Sequence, residues 1–110
     1  MNGYLISFYT QQDRQHRGQP LGHWLIGLAR ELELRGATLS AALEGFGHSG
    51  ELRSARFFEH AQQPLVVRIA ATEDECARLF QRLDQEDFDL FYVKTPAELG
   101  HVGKRVARDA

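Results

Sequence analysis

Two short stretches of this 110-residue chain hold the side chains best suited to gripping an anion. The first is Asp13-Arg14-Gln15-His16-Arg17-Gly18. A guanidinium pairs in a planar fork with phosphate or carboxylate oxygens, so Arg14 and Arg17, with His16 between them, can supply donors and positive charge to a phosphate. The second is Glu44-Gly45-Phe46-Gly47-His48. Glycine lets a backbone take left-handed angles and come close to a ligand. Successive free N–H groups in such a bend form a nest for an anion. Stripped of those roles, the first stretch is a solvated polar loop and the second an ordinary turn. Glu44 reads equally as a cleft residue or as an exposed polar position. Arg53 and Arg56, at the short loop that follows the second stretch, could face a ligand but fit a surface role better, and Lys94, Lys104 and Arg105 lie toward the C-terminus as further cations.

Other chemistries find less support. The five histidines, His16, His23, His48, His60 and His101, form no close ligand pair, and neither Cys-x-x-Cys nor His-Glu-x-x-His occurs, so no metal site is expected. The single cysteine, Cys76, reads as a small buried hydrophobe. Catalysis would need a nucleophile beside a base, or a pair of tuned carboxylates. Ser49 and Ser54 are ordinary loop residues, and Asp84, Glu86, Asp87 and Asp89 read as a solvated turn. Binding is expected, and catalysis is not. A net charge of −2 lacks the basic face that marks a nucleic-acid binder. The N-terminus lacks the basic run and apolar segment of a signal peptide, and no stretch approaches the roughly 18 apolar residues of a membrane span. A cytoplasmic location is therefore the default expectation.

The elements that must position these residues follow from hydrophobic period. A strand is predicted over 4–10, with faces Tyr4/Ile6/Phe8 and Leu5/Ser7/Tyr9 both apolar enough to be covered. Residues 11–19 read as a polar loop, and Pro20 suits the first turn of a helix. Leu21, Trp24, Leu25, Leu28, Ala29 and Leu32 then form one apolar stripe, with Gly36 as the stop. A second strand over 38–44 puts Leu39, Ala41 and Leu43 on one face. Residues 53–59 suit a short strand or hairpin arm. Pro64 opens a third strand through Ala70. Thr72-Glu73-Asp74-Glu75 is a capping box before a helix that buries Cys76, Leu79, Phe80 and Leu83. A short last strand over 90–94 is stopped by Pro96. The expected domain covers 1–96, followed by a polar tail over 97–110. The order β-α-β-β-α-β is the ferredoxin-like one, an α+β sandwich. Two helices cover one face of a four-stranded sheet, so the other face, which mixes Val66 and Ala70 with Arg68, is expected to pair with further copies of the chain.

In that setting the residues resemble a family. Gly36-Ala37-Thr38, then Glu44-Gly45-Phe46-Gly47-His48, then Pro64-Leu65-Val66-Val67-Arg68-Ile69 look like the middle of the PII nitrogen-regulatory proteins. Asp13-Arg14-Gln15-His16-Arg17-Gly18-Gln19-Pro20-Leu21 is similar to the loop before the first helix in an uncharacterised PII-like family of bacterial proteins. The resemblance spans residues 1–95. It implies a homotrimer with ligand clefts between neighbours, an adenine nucleotide as effector, and a regulated partner such as a transporter or channel. Thr38 would serve the base or ribose end, and Gly45, Phe46, Gly47 and His48 would form the turn lining the cleft. Two departures matter. Only the short run 49–59 follows the glycine turn, where the nitrogen regulators carry a long flexible loop with a modifiable tyrosine. Acidic Gln85-Glu86-Asp87-Phe88-Asp89 stands where they have a glycine-rich phosphate loop, so an adenine nucleotide with fewer phosphates than ATP, or a different small anion, is expected. The rivals are a metal-responsive trimer of the same superfamily, a small ferredoxin-like enzyme, and a structural trimer with an empty cleft.

Overall fold

The computed structural model describes residues 1–46, 52–54 and 63–104. Its elements are β1 (Asn2–Gln11), β2 (Gln15–His16), β3 (Gln19–Pro20), α1 (Leu21–Glu31), β4 (Ala37–Ala41), β5 (Glu44–Phe46), β6 (Leu52–Ser54), β7 (Pro64–Thr72), α2 (Glu73–Leu83) and β8 (Tyr92–Glu98). Four strands form one antiparallel sheet in the order β4-β7-β1-β8, the ferredoxin-like arrangement. No helix among the described residues is long and apolar enough to cross a membrane.

Both helices pack on one face. Ile6 and Phe8 of β1 and Val67 and Ile69 of β7 are almost fully buried there beneath Leu21 and Leu25 of α1 and Leu79 of α2. Each such side chain contributes about 1.5–3 kcal/mol by leaving water. The α1 stripe is buried as its spacing predicts, Leu32 only partly. At α2 the capping box is complete. The Glu75 N–H donates to the Thr72 hydroxyl at 3.3 Å, and the Thr72 N–H donates to Glu75 Oε1 at 2.8 Å. Burial pushes the Glu75 carboxyl up, but the Thr72 backbone N–H, the Arg35 guanidinium and the Thr72 hydroxyl outweigh it and hold the group below its ordinary range.

Several boundaries differ from the sequence reading. Helix α1 does not run to Gly36. It ends at a Schellman motif in which Glu33 takes the left-handed conformation, φ 57°. The Leu34 N–H donates to the Ala29 carbonyl and the Glu33 N–H to the Arg30 carbonyl, both at 3.0 Å. The second strand stops at Ala41, and Leu43 is 81% exposed instead of extending the inward face. The chain there turns away into the β5–β6 hairpin. The last strand runs through Pro96 to Glu98, two residues past the expected domain end. Tyr9/Phe91 and Met1/Leu99 are hydrogen-bonded pairs, so Pro96, opposite Tyr4, falls on the alternate pair with its nitrogen toward the outer edge. A proline there costs no ladder bond and blunts the edge. Gly3 has a different constraint: a Cβ would sit 2.2 Å from the Ala71 carbonyl oxygen, so no larger residue fits.

Candidate ligand-binding site

The first anion-binding stretch is not an open loop. Strand β1 continues to Gln11, and β2 and β3 then pair as a small hairpin. Its two-residue turn is Arg17 (φ 50°) and Gly18 (φ 81°), the positive pair that fits a tight hairpin. The turn reaches the α2–β8 connection and closes on one carboxylate. His16 Nε2 donates to Glu86 Oε1 at 2.8 Å. Arg17 Nε donates to the same oxygen at 2.6 Å and its terminal nitrogen to Oε2 at 3.3 Å. Arg82, one helical turn before Glu86, donates to Oε2 at 2.5 Å. The Arg14 guanidinium donates to the Asp89 carbonyl. The Glu86 side chain is only 2% exposed.

This corrects the reading of 84–89 as a solvated turn. Asp84, Asp87 and Asp89 are exposed, but Glu86 is enclosed by cations. Hydrogen bonds from Arg17, Arg82 and His16 hold its carboxyl at about 2, well below the usual carboxylate range. An ionised carboxylate only accepts, so His16 carries its proton on Nε2. The His16 ring is held edge-on to Trp24 at 4.6 Å and against Phe88 at 4.8 Å. Arg82 lies 5.9 Å from the centre of the Trp24 ring. Of this clasp, sequence reasoning places Trp24 only in the apolar stripe of the first helix and gives Arg82 and Phe88 no role. The i, i+4 spacing of Arg82 and Glu86 was the available signal.

The remaining site residues lie on the β4 side of the sheet. Thr38 is exposed on the edge strand β4, directly opposite Arg68 of β7. Glu44, Gly45 and Phe46 form β5, past the other end of β4, and Phe46 is 73% exposed. The end of β4, the start of β7 and the end of β1 lie together, so β5 emerges at the same end of the sheet as the Arg14–Arg17 hairpin, while Thr38 lies level with Arg68 at mid-sheet. Gly45 has no left-handed backbone, and among the described residues a Cβ there would meet Pro64 at ordinary contact distance, so neither backbone angle nor crowding requires glycine at this position. Gly47 and His48, with Arg56 and Arg105, fall outside the described residues. Two hollows of about 400 and about 260 Å³ are present, one beside Asn2 and Glu73, the other beside Trp24 and Arg82. Neither includes Thr38 or β5.

The sheet face away from the helices completes the picture. It presents Leu5, Ser7 and Tyr9 of β1, Val66, Arg68 and Ala70 of β7, Thr38 and Ser40 of β4, and Val93 and Thr95 of β8. Leu5 and Tyr9 are 40% exposed and Val93 41%. Apolar side chains thus sit half in water across the middle of a sheet.

An antiparallel sheet in this strand order, backed by two helices on one face, defines the ferredoxin-like class of α+β folds. A family model, DUF190, an uncharacterized ACR, matches residues 3–92, and the chain belongs to that family. It is 30% identical over 80 residues to the UPF0166 protein of Aquifex aeolicus (strain VF5), covering 72% of this chain and 76% of that protein. A putative PII-like signalling protein from Thermus thermophilus has the same fold, with a TM-score of 0.63 at 19% identity over 87% of each chain. So does CPII, a nitrogen regulatory PII-like protein from Thiomonas intermedia K12 solved with ADP, AMP and bicarbonate, with a TM-score of 0.62 at 13% identity, covering 91% of this chain and 97% of that one. At these identities the likeness to solved structures is one of fold.

Proposed function

We propose that the chain is a PII-like signalling subunit that binds an adenine nucleotide in clefts between the copies of a homotrimer, and that it works by binding and not by catalysis. The observation that carries this reading is the apolar sheet face left uncovered by either helix, with Thr38 and β5 on the adjacent edge strand and hairpin. Such a face is satisfied by self-association. A cleft assembled from two copies also suits candidate residues that a single chain leaves apart. The fold shared with CPII, which binds ADP and AMP, supports the choice of ligand.

Thr38 would serve the base or ribose, with Glu44, Gly45, Phe46, Gly47 and His48 along the turn. Arg14, His16 and Arg17 take a different place from the one their types suggest. Their side chains are committed to the α2–β8 connection, so they shape the cleft wall and reach a phosphate only by leaving Glu86 or Asp89. The effector would reorder the run from His48 to Arg56 and so change its fit to a partner such as a transporter or channel, which requires tighter binding to one arrangement than to the other. The protein would act in the cytoplasm.

Calorimetric titration with AMP, ADP and ATP tests the ligand. AMP or ADP should bind more tightly than ATP, because the α2–β8 connection carries exposed Asp84, Asp87 and Asp89 and no glycine. ATP binding far more tightly than either would overturn the preference for fewer phosphates, and no response to any of the three would remove the nucleotide reading.

A further inference from the structure

The open sheet face carries one charged side chain among its described positions, and it sits in the middle. Arg68 is exposed on β7, flanked in register by Thr38 of β4 on one side and Ser7 of β1 on the other. Gln12 and Gln63, one step beyond β1 and β7, are a hydrogen-bonded pair, so Ser7/Arg68 is an alternate pair, the kind in which side chains stand closest. Ala42/Pro64 fix the opposite parity on the other side, making Thr38/Arg68 a bonded pair whose side chains still share the face. A guanidinium between two hydroxyls thus forms a polar row across an apolar surface, with Leu5 and Ala70 in the row on one side and Tyr9 and Val66 in the row on the other.

We infer that Arg68, with the Thr38 and Ser7 hydroxyls, is an oxyanion site at the seam between copies, taking a phosphate- or bicarbonate-type group. The inference rests on the self-association reading above, adds the ligand chemistry of that seam, and moves the Thr38 hydroxyl from a base or ribose to the oxyanion. The argument is one of charge. Covering this face buries Arg68, and a buried charge must find a partner. None of the described strand positions on the face is Asp or Glu, so packing the same strands of another copy against it brings no carboxylate from those strands. It brings instead more arginines to the seam, whose repulsion grows as water leaves. A small oxyanion removes both costs, because its oxygens accept the planar guanidinium fork and the two hydroxyls together. No ion pair among the described residues uses Arg68.

The test uses the full chain, wild type and the variants Arg68→Gln, Arg68→Leu and Thr38→Val. Melting temperature and sedimentation velocity are followed with inorganic phosphate, bicarbonate or AMP, against chloride at equal ionic strength. In the wild type, phosphate or bicarbonate should raise the melting temperature and favour the assembly more than chloride does. Arg68→Gln should weaken that response at least tenfold in anion concentration, and Thr38→Val should weaken it less. Arg68→Leu should assemble with no dependence on the anion. A response to AMP but not to the inorganic ions, lost in Arg68→Gln, places a nucleotide phosphate there; a response to all three assigns the site to any small oxyanion. Assembly whose anion response survives Arg68→Gln removes the anion site and leaves self-association standing. Assembly insensitive to anions that falls apart in Arg68→Gln also overturns the proposal, because Arg68 then pairs with a neighbour's carboxylate. A wild type that stays monomeric with phosphate present removes the self-association reading and the anion site with it.

Discussion

Glu86 shows how one side chain can turn two separate sequence features into a single device. The cationic loop at 14–17 and the acidic run at 84–89 are both visible in the sequence, and each suggests its own role. In the fold they neutralise each other, with Arg17, Arg82 and His16 all donating to one enclosed carboxylate. The consequence for pH follows from the sign of the shift. The Glu86 carboxyl titrates at about 2 in the folded chain against an ordinary value of 4.5, so its stabilising contribution is complete above about 4.5 and is lost as pH falls toward 2. Glu86→Gln should therefore lower the melting temperature at neutral pH, and the gap to wild type should close as pH drops from 4.5 to 2. A gap that stays constant through that window would show that the clasp holds by packing of His16, Trp24 and Phe88 and not by charge. Sequence reading supplied the residue types but not the pairing. His16 and Glu86 are 70 positions apart, and only the fold brings them within hydrogen-bonding distance.

Among the elements, legibility follows how local the determinant is. The α2 start was readable because Thr72 and Glu75 close their capping box within one turn. The two faces of β1 and the mixed face of β7 were readable because the strand period is two. The end of α1 was not, since Gly36 offered a stop that the chain does not use. The left-handed residue is Glu33, where Leu34 can fold back over Ala29. The alternation through Leu39 and Ala41 likewise ran on to Leu43 on paper, while the chain leaves the sheet after Ala41 to build β5. Glu33 also makes a prediction. A non-glycine residue with positive φ costs about 1 kcal/mol relative to glycine in the same geometry. Glu33→Gly should stabilise the chain by roughly 0.5–1 kcal/mol in urea unfolding. A loss of stability instead would mean that the Glu33 side chain contributes more than its backbone costs.

For the whole molecule, the sheet divides the chain into a satisfied half and an unsatisfied one. On the helix side Ile6, Phe8, Val67 and Ile69 are sealed; on the other, Leu5, Tyr9 and Val93 stand at about 40% exposure with no described element above them. Among the described residues no third layer lies there, and the self-association proposed above would supply one. This separates two kinds of substitution that look alike in sequence. Ile69→Lys puts a charge into the sealed face and should unfold the protein. Leu5→Lys puts the same charge where water already reaches, so a single chain should keep its circular dichroism and most of its stability. If copies meet across this face, however, Leu5→Lys plants an unpaired ammonium inside the seam, which is costly enough to part them. The wild type should then sediment as an oligomer at micromolar concentration and Leu5→Lys as a folded monomer. Identical sedimentation of the two, both folded, would show that the face is not where copies meet, and the uncovered apolar rows would then need another partner.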